Sequence, residues 1–143
     1  MVNREFLTAG KATFTVDNGR GDWQTYKVAK SRDEANPVYF VSVMDGPDNQ
    51  SSYAYIGLLD PNSGEMRVTR KSRYAEDHRF VRIARFALRV VFGKQELPAG
   101  YDVKHAGRCG RCNRMLTTPE SLASGIGPEC AGRIARAKVQ EAS

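Results

Sequence analysis

The chain has 143 residues, a formal net charge of +6, 41% hydrophobic and 27% charged residues, which suits one buried core with at most a small stapled appendage. Three cysteines cannot all pair, no run is apolar for long enough to span a bilayer, and no signal-like segment opens the sequence; a soluble, cytoplasmic protein with reduced thiols is expected rather than a secreted disulfide scaffold. Residues 1–64 carry six Lys/Arg against eight Asp/Glu, a net −2, and residues 65–143 carry sixteen against eight, a net +8. The excess positive charge therefore lies in the second half, as on a surface that meets phosphates or an acidic partner, or simply on solvated faces.

From the N-terminus, the first seventy residues alternate in strand fashion between turn signals. Ala12–Val16 alternates into the turn Asp17-Asn18-Gly19, Thr25–Ala29 follows, and Val38–Val43 is the run richest in β-formers. Asp45–Asn49 breaks that strand, Tyr53–Leu59 resumes it, and Asp60–Gly64 turns into Glu65–Arg70, with Met66 and Val68 inward and Arg67 and Thr69 outward. From Ala75 the period changes. Phe80, Ile83, Ala84, Ala87, Val90 and Val91 share one helical stripe, opposite Arg79, Arg82, Arg85 and Arg89. Glu76 and Asp77 suit the positive end of the helix dipole, and Gly93 with Pro98 can end the helix. The arginine arc, which holds no lysine and faces no evident carboxylate, reads either as a solvated helix back or as a phosphate-binding or acidic-partner surface.

Residues 94–104 read as a connector into a metal module that begins near Val103. His105 stands four residues before Cys109, Gly110 lies inside Cys109-x2-Cys112, and Cys130 follows a Gly125-Ile126-Gly127-Pro128 turn. A Cys-x2-Cys turn places two thiolates on one metal because backbone N–H groups of the tight turn point at sulfur. Cys109, Cys112 and Cys130 supply three ligands of a zinc site, and His105 is the candidate fourth, ahead of the distant His78. A redox Cys-x2-Cys pair would leave Cys130 without a role, and a catalytic zinc would have only Glu129 nearby as a base, so a structural site is expected. The deaminase pattern is absent, because Ala106 and Gly107 follow His105. Thr118 and Pro119 start a short helix, and Pro128 starts a second one running to about Val139.

Two resemblances meet in this segment. Cys109, Cys112, Arg114, Leu116, Thr117, Pro119, Glu120 and Ser121, followed by Gly125, Ile126, Gly127, Pro128 and Cys130, form a pattern that resembles the C-termini of small proteins of a domain-of-unknown-function class, mostly encoded by bacteriophages or mobile elements. The loop Asp45–Tyr53 is similar to one upstream of the zinc segment in such proteins. The resemblance implies a zinc module, a phage or prophage origin and a bacterial host cell, and little about activity. Gly125-Ile126-Gly127-Pro128, with Leu122 before it and Ala131 and Ile134 after it, also resembles the hairpin of the helix-hairpin-helix DNA-binding motif. That resemblance implies backbone amides aimed at a phosphate; the alternative is that both glycines only turn the chain back so that Cys130 reaches the zinc.

The expected fold is α+β: an antiparallel β-sheet with one packed amphipathic helix over residues 1–98, then a small helical zinc-binding module over 103–140. The expected function is that of a phage-type accessory protein binding nucleic acid without sequence preference through Arg82, Arg85, Arg89, Arg108, Arg111 and Arg114, with the Gly125 and Gly127 amides as a further phosphate site. The alternative from another class is a phage-encoded inhibitor or modulator docking on a host defence or nuclease protein, which requires an acidic target face. No catalytic role is expected, since no paired carboxylates, nucleophile–base pair or phosphate-cradling glycine loop converge.

Overall fold

The computed structural model describes residues 2–46, 52–105, 107–112, 125–127 and 131. The five strands expected from alternation form in order: β1 (Lys11–Asp17), β2 (Trp23–Lys30), β3 (Tyr39–Met44), β4 (Tyr53–Leu59) and the short β5 (Met66–Arg67). Two further elements carry no strong sequence signal, the single turn α1 (Arg4–Leu7) and the strand β6 (Asp102–His105). Between β5 and β6 lies the one long helix among the described residues, α2 (Arg79–Val91). The fold is α+β, and every strand pairing is antiparallel, in the order β5-β4-β3-β2-β1-β6. Because β5 and β6 are opposite edges, α2 carries the chain across one face of the sheet from edge to edge. No helix among the described residues is long and apolar enough to cross a membrane.

Register puts Ala12, Phe14 and Val16 of β1 on the same face as Tyr26 and Val28 of β2 and Val41 and Val43 of β3, all buried. A β-bulge at Val41/Ser42 adds one residue to β4, so Ala54 and Ile56 are buried before it and Leu59, not Leu58, after it. Gly57 sits in this irregularity, where a Cβ would come within 2.7 Å of the Arg67 carbonyl, so no side chain fits. The first turn is set by its own side chains: Asp17 Oδ1 accepts from Gly19 N–H at 2.7 Å and Asn18 Oδ1 from Arg20 N–H at 2.8 Å.

The helix packs on a stripe rotated from the expected one. Val81, Ala84, Ala87, Leu88, Val90 and Val91 are buried, whereas Phe80 and Ile83, expected on the packed stripe, lie half-buried at its margin. The cause is local. His78 caps the helix through Nδ1, which accepts from Phe80 N–H at 3.1 Å, and the rings of Tyr74 and His78 hold the Phe80 ring at 4.9 and 4.7 Å. Tyr26 locks this end to the sheet, its phenol donating to the Phe80 carbonyl at 2.6 Å. Burial pushes that phenol above its ordinary range, against the opposing pull of the Arg79 charge.

The segment expected as a connector and the start of a separate module joins this sheet. Asp102–His105 pairs with Asp17–Phe14, Val103 is fully buried, and Cys109 and Ile126 belong to the same apolar core as Phe6 and Phe14. The helix expected over 119–124 lies outside the described residues, and of the one expected after Pro128 only Ala131 is described, in helical conformation.

Candidate metal centre and basic surface

After β6 the chain turns back under α1. Lys11 N–H donates to the Gly110 carbonyl at 2.6 Å, Gly110 N–H to the Gly125 carbonyl at 2.8 Å, and Val2 N–H to the Val103 carbonyl at 2.9 Å. Gly110 and Gly125 both lie against the Phe6 ring, where a Cβ on either would come within 2.6 Å of Cδ2. Gly125 also has φ +75°, which a side-chain-bearing residue rarely adopts. These two glycines therefore bring the Cys-x2-Cys turn and the Gly-Ile-Gly turn into direct contact over one aromatic ring.

Cys109 lies at the centre of that contact, 1% exposed. Burial by itself raises its thiol, but N–H groups of Gly127, Cys112 and Arg111 directed at the sulfur, with the Cys112 thiol beside it, outweigh burial and bring it down to about 7. The Arg111 N–H lies 3.4 Å from Cys109 Sγ. A sulfur surrounded by backbone donors is prepared to carry negative charge, as a metal-bound thiolate must. The Gly127 amide thus faces sulfur, which favours the turning role of these glycines over a phosphate-binding role for that group. Ala131 N–H donates to the Gly127 carbonyl at 2.9 Å, a helical i→i−4 bond at the one described residue of the helix expected after Pro128.

His105 lies on the core side of β6, its ring 5.7 Å from that of Phe6, and its Nδ1 accepts from Gly107 N–H at 2.9 Å. In a neutral ring this leaves the proton on Nε2, so metal binding at either nitrogen requires that hydrogen bond or that tautomer to change. Among the described residues, no three His, Cys, Asp or Glu side chains gather as a metal site. Cys130, the expected third thiolate, lies outside the described residues, and so does Arg114. Arg108 and Arg111, both half-buried, flank Cys109. Phe6, on which the two turns rest, was not legible as part of this site.

The arginines of α2 divide into two pairs, which corrects the expectation of an arc without opposing carboxylates. Arg85 is held between the Met66 carbonyl at 3.2 Å and Glu76 at 2.8 Å, with its side chain 23% exposed. Arg89 pairs with Glu65 at 3.3 Å, so both of these arginines tie the helix to neighbouring chain. Arg79 and Arg82 are exposed in the first turn and form no ion pair with any described residue. That turn contains no acidic residue, so two cations stand at the positive end of the helix dipole.

Residues 102–135 match a family of unknown function, DUF6011, which spans β6, the Cys-x2-Cys turn and the Gly-Ile-Gly turn. Neither the curated proteins nor the solved structures hold a match to the chain.

Proposed function

We propose that this chain binds nucleic acid through phosphate contacts and that a structural zinc ion, held by Cys109, Cys112 and Cys130, fixes part of the basic surface. The observation that carries the nucleic-acid reading is the pair Arg79 and Arg82, exposed and without carboxylate partners at a helix end that already repels cations. An anion there would relieve the repulsion on both sides. Arg108, Arg111 and Arg114 add charge around the cysteines, within the net +8 of residues 65–143. Backbone phosphates carry no sequence information, so binding is expected to be largely sequence-independent.

The residues present fit a metal. Cys109 and Cys112 are adjacent, and the donors around Cys109 favour its thiolate. Zinc in such a site supplies a cross-link rather than reactivity. His105 takes part only where its ring leaves Gly107, so His105→Ala discriminates: retained zinc shows that the fourth ligand lies elsewhere. The match of residues 102–135 to a family of unknown function leaves the phage-type accessory role in a bacterial host as part of this proposal.

Fluorescence anisotropy with labelled single-stranded and duplex oligonucleotides at low salt tests the function. Binding of both mixed and homopolymeric sequences is expected. Absence of binding to any of them, together with salt-resistant capture of a host protein, would instead favour a docking modulator.

A further inference from the structure

Period-two alternation gives the sheet a second face, turned away from α2. In one row of that face the pairings Lys11↔Ala29, Ala29↔Phe40, Phe40↔Leu58 and Leu58↔Arg67 align one residue from each of five strands. Phe40 stands in the middle of the row, 41% exposed, with exposed Lys11 and Arg67 each two strands away, roughly 10 Å at the usual strand spacing. The next row aligns Thr13, Lys27, Ser42 and Tyr55. Its side chains fix the surroundings of Phe40. The Tyr55 ring meets the Phe40 ring edge-on, centres 6.2 Å apart, and the Tyr55 hydroxyl is anchored on Thr69 Oγ1 at 2.8 Å. Lys27 Nζ lies over the neighbouring Tyr53 ring, 4.0 Å from its centre.

The chemistry of this face is mixed in a particular way. Exposed aromatic surface occupies the centre and cations stand on both sides of it. Among the paired strand residues, the carboxylates of the face are Asp17 and Asp102, which lie together at its β1–β6 corner, and Lys104 pairs with Asp17 at 3.6 Å. Lys11 and Arg67 form no ion pair with any described residue. An apolar protein face laid here would cover the polar ends of Thr13, Lys27 and Ser42 without hydrogen-bond partners. An acidic peptide would satisfy the cations and leave the rings unused. A ligand with flat apolar faces at its centre and anions to either side suits rings and cations together.

We propose that this sheet face is a stacking platform for single-stranded nucleic acid, with a base on Phe40 beside Tyr55 and phosphates toward Lys11, Lys27 and Arg67. The proposal rests on the nucleic-acid reading above and adds to it a surface on the opposite side of the sheet from α2. Duplexes keep their base faces stacked inside the helix and cannot offer them to exposed rings, whereas a single strand can. Stacking also tolerates any base, in keeping with binding that reads no sequence.

Fluorescence anisotropy at low salt tests the platform in the intact chain, with a labelled twelve-nucleotide single strand, an abasic strand of the same length and the matching duplex. The base-bearing strand is expected to bind about five- to a hundredfold more tightly than the abasic one, which keeps the phosphates and lacks the flat faces. Phe40→Thr removes an exposed ring and keeps a β-former in the strand, so the fold is retained. It should remove most of the advantage of the base-bearing strand, and Phe40→Trp should preserve it. Lys11→Gln with Arg67→Gln should flatten the slope of log affinity against log salt on the single strand by about 1.4. Equal affinity for the base-bearing and abasic strands, or an advantage unchanged in Phe40→Thr, would overturn the platform and leave phosphate binding standing. Tighter binding of the duplex than of the single strand would do the same. A parent dimer in sedimentation that Phe40→Thr converts to a monomer, with oligonucleotide affinity unchanged, would assign the face to a second copy of the chain instead. No binding of any oligonucleotide would remove both the platform and the reading it rests on.

Discussion

Cys109 combines two demands that usually conflict: it is buried in the same core as Phe6 and Phe14, yet three backbone amides stabilise its charge. A thiolate there without a metal is costly to bury, and a metal removes that cost by sharing the charge. Because β6 and the turns around Cys109 belong to the sheet's own core, loss of the site should be felt well beyond the C-terminal segment. Cys112→Ser is expected to reduce bound zinc from one ion per chain to none by native mass spectrometry and to lower the urea midpoint of the sheet itself. Unchanged zinc content in this variant would remove Cys112 from the ligand set. Tyr26 gives a second residue-scale expectation. Its hydrogen bond to Phe80 joins β2 to the start of α2, so Tyr26→Phe should cost about 1 kcal/mol, more if the Phe80 carbonyl is left buried without a donor. The sign with pH follows from a phenol held neutral in the fold: its stabilising share is complete below the ordinary value of 10.0 and is lost as pH rises above it, since the unfolded chain ionises first. Denaturation at pH 7 and pH 10.5 should show a smaller alkaline loss in Tyr26→Phe than in the parent chain.

At the scale of elements, α2 determines whether the core closes. Leu88 is fully buried at the middle of the inward stripe, so Leu88→Ala should cost about 2–5 kcal/mol, whereas Ile83→Ala at the margin should cost less. Chemical denaturation of the two variants checks the rotation of the helix directly; equal losses would contradict it. The helix and the first five strands were readable from periodicity, because each lies between turn residues and buries every second or every third to fourth side chain. What periodicity missed has physical causes. Asp102–His105 has only Val103 fully buried, too little to display alternation, and α1 is one turn long. The bulge in β4 reverses the alternation within a single strand, and the ring cluster around Phe80 shifts the helix face without changing its pattern of apolar residues. At the candidate site, the spacing of Cys109 and Cys112 was sufficient to find the pair, while Phe6 beneath them is brought in only by the fold. The partners of Arg85 and Arg89 were equally hidden, since Glu76 and Glu65 lie 9 and 24 residues away in sequence and outside the helix.

For the whole molecule, the sheet, the helix and the described part of the cysteine segment form one body, and the two α2 arginines outside ion pairs, Arg79 and Arg82, stand at one end of that helix. Charge alone, a net +6, does not decide between nucleic acid and an acidic protein. The division of the helix arginines does bear on it: Arg85 and Arg89 pair with Glu76 and Glu65, whereas Arg79 and Arg82 form no ion pair with a described residue, as the proposed phosphate contact requires. The dependence of oligonucleotide affinity on salt tests this most directly, because each neutralised phosphate adds about 0.7 to the slope of log affinity against log salt on a single strand and about 0.9 on a duplex. The parent chain is expected to show a steep negative slope on single-stranded DNA. Arg79→Glu/Arg82→Glu should flatten it by at least about 1.4, equally for different base sequences, with Arg85→Ala changing it little. A slope near zero in the parent chain, or an unchanged slope in the double variant, would contradict phosphate binding by the first turn of α2.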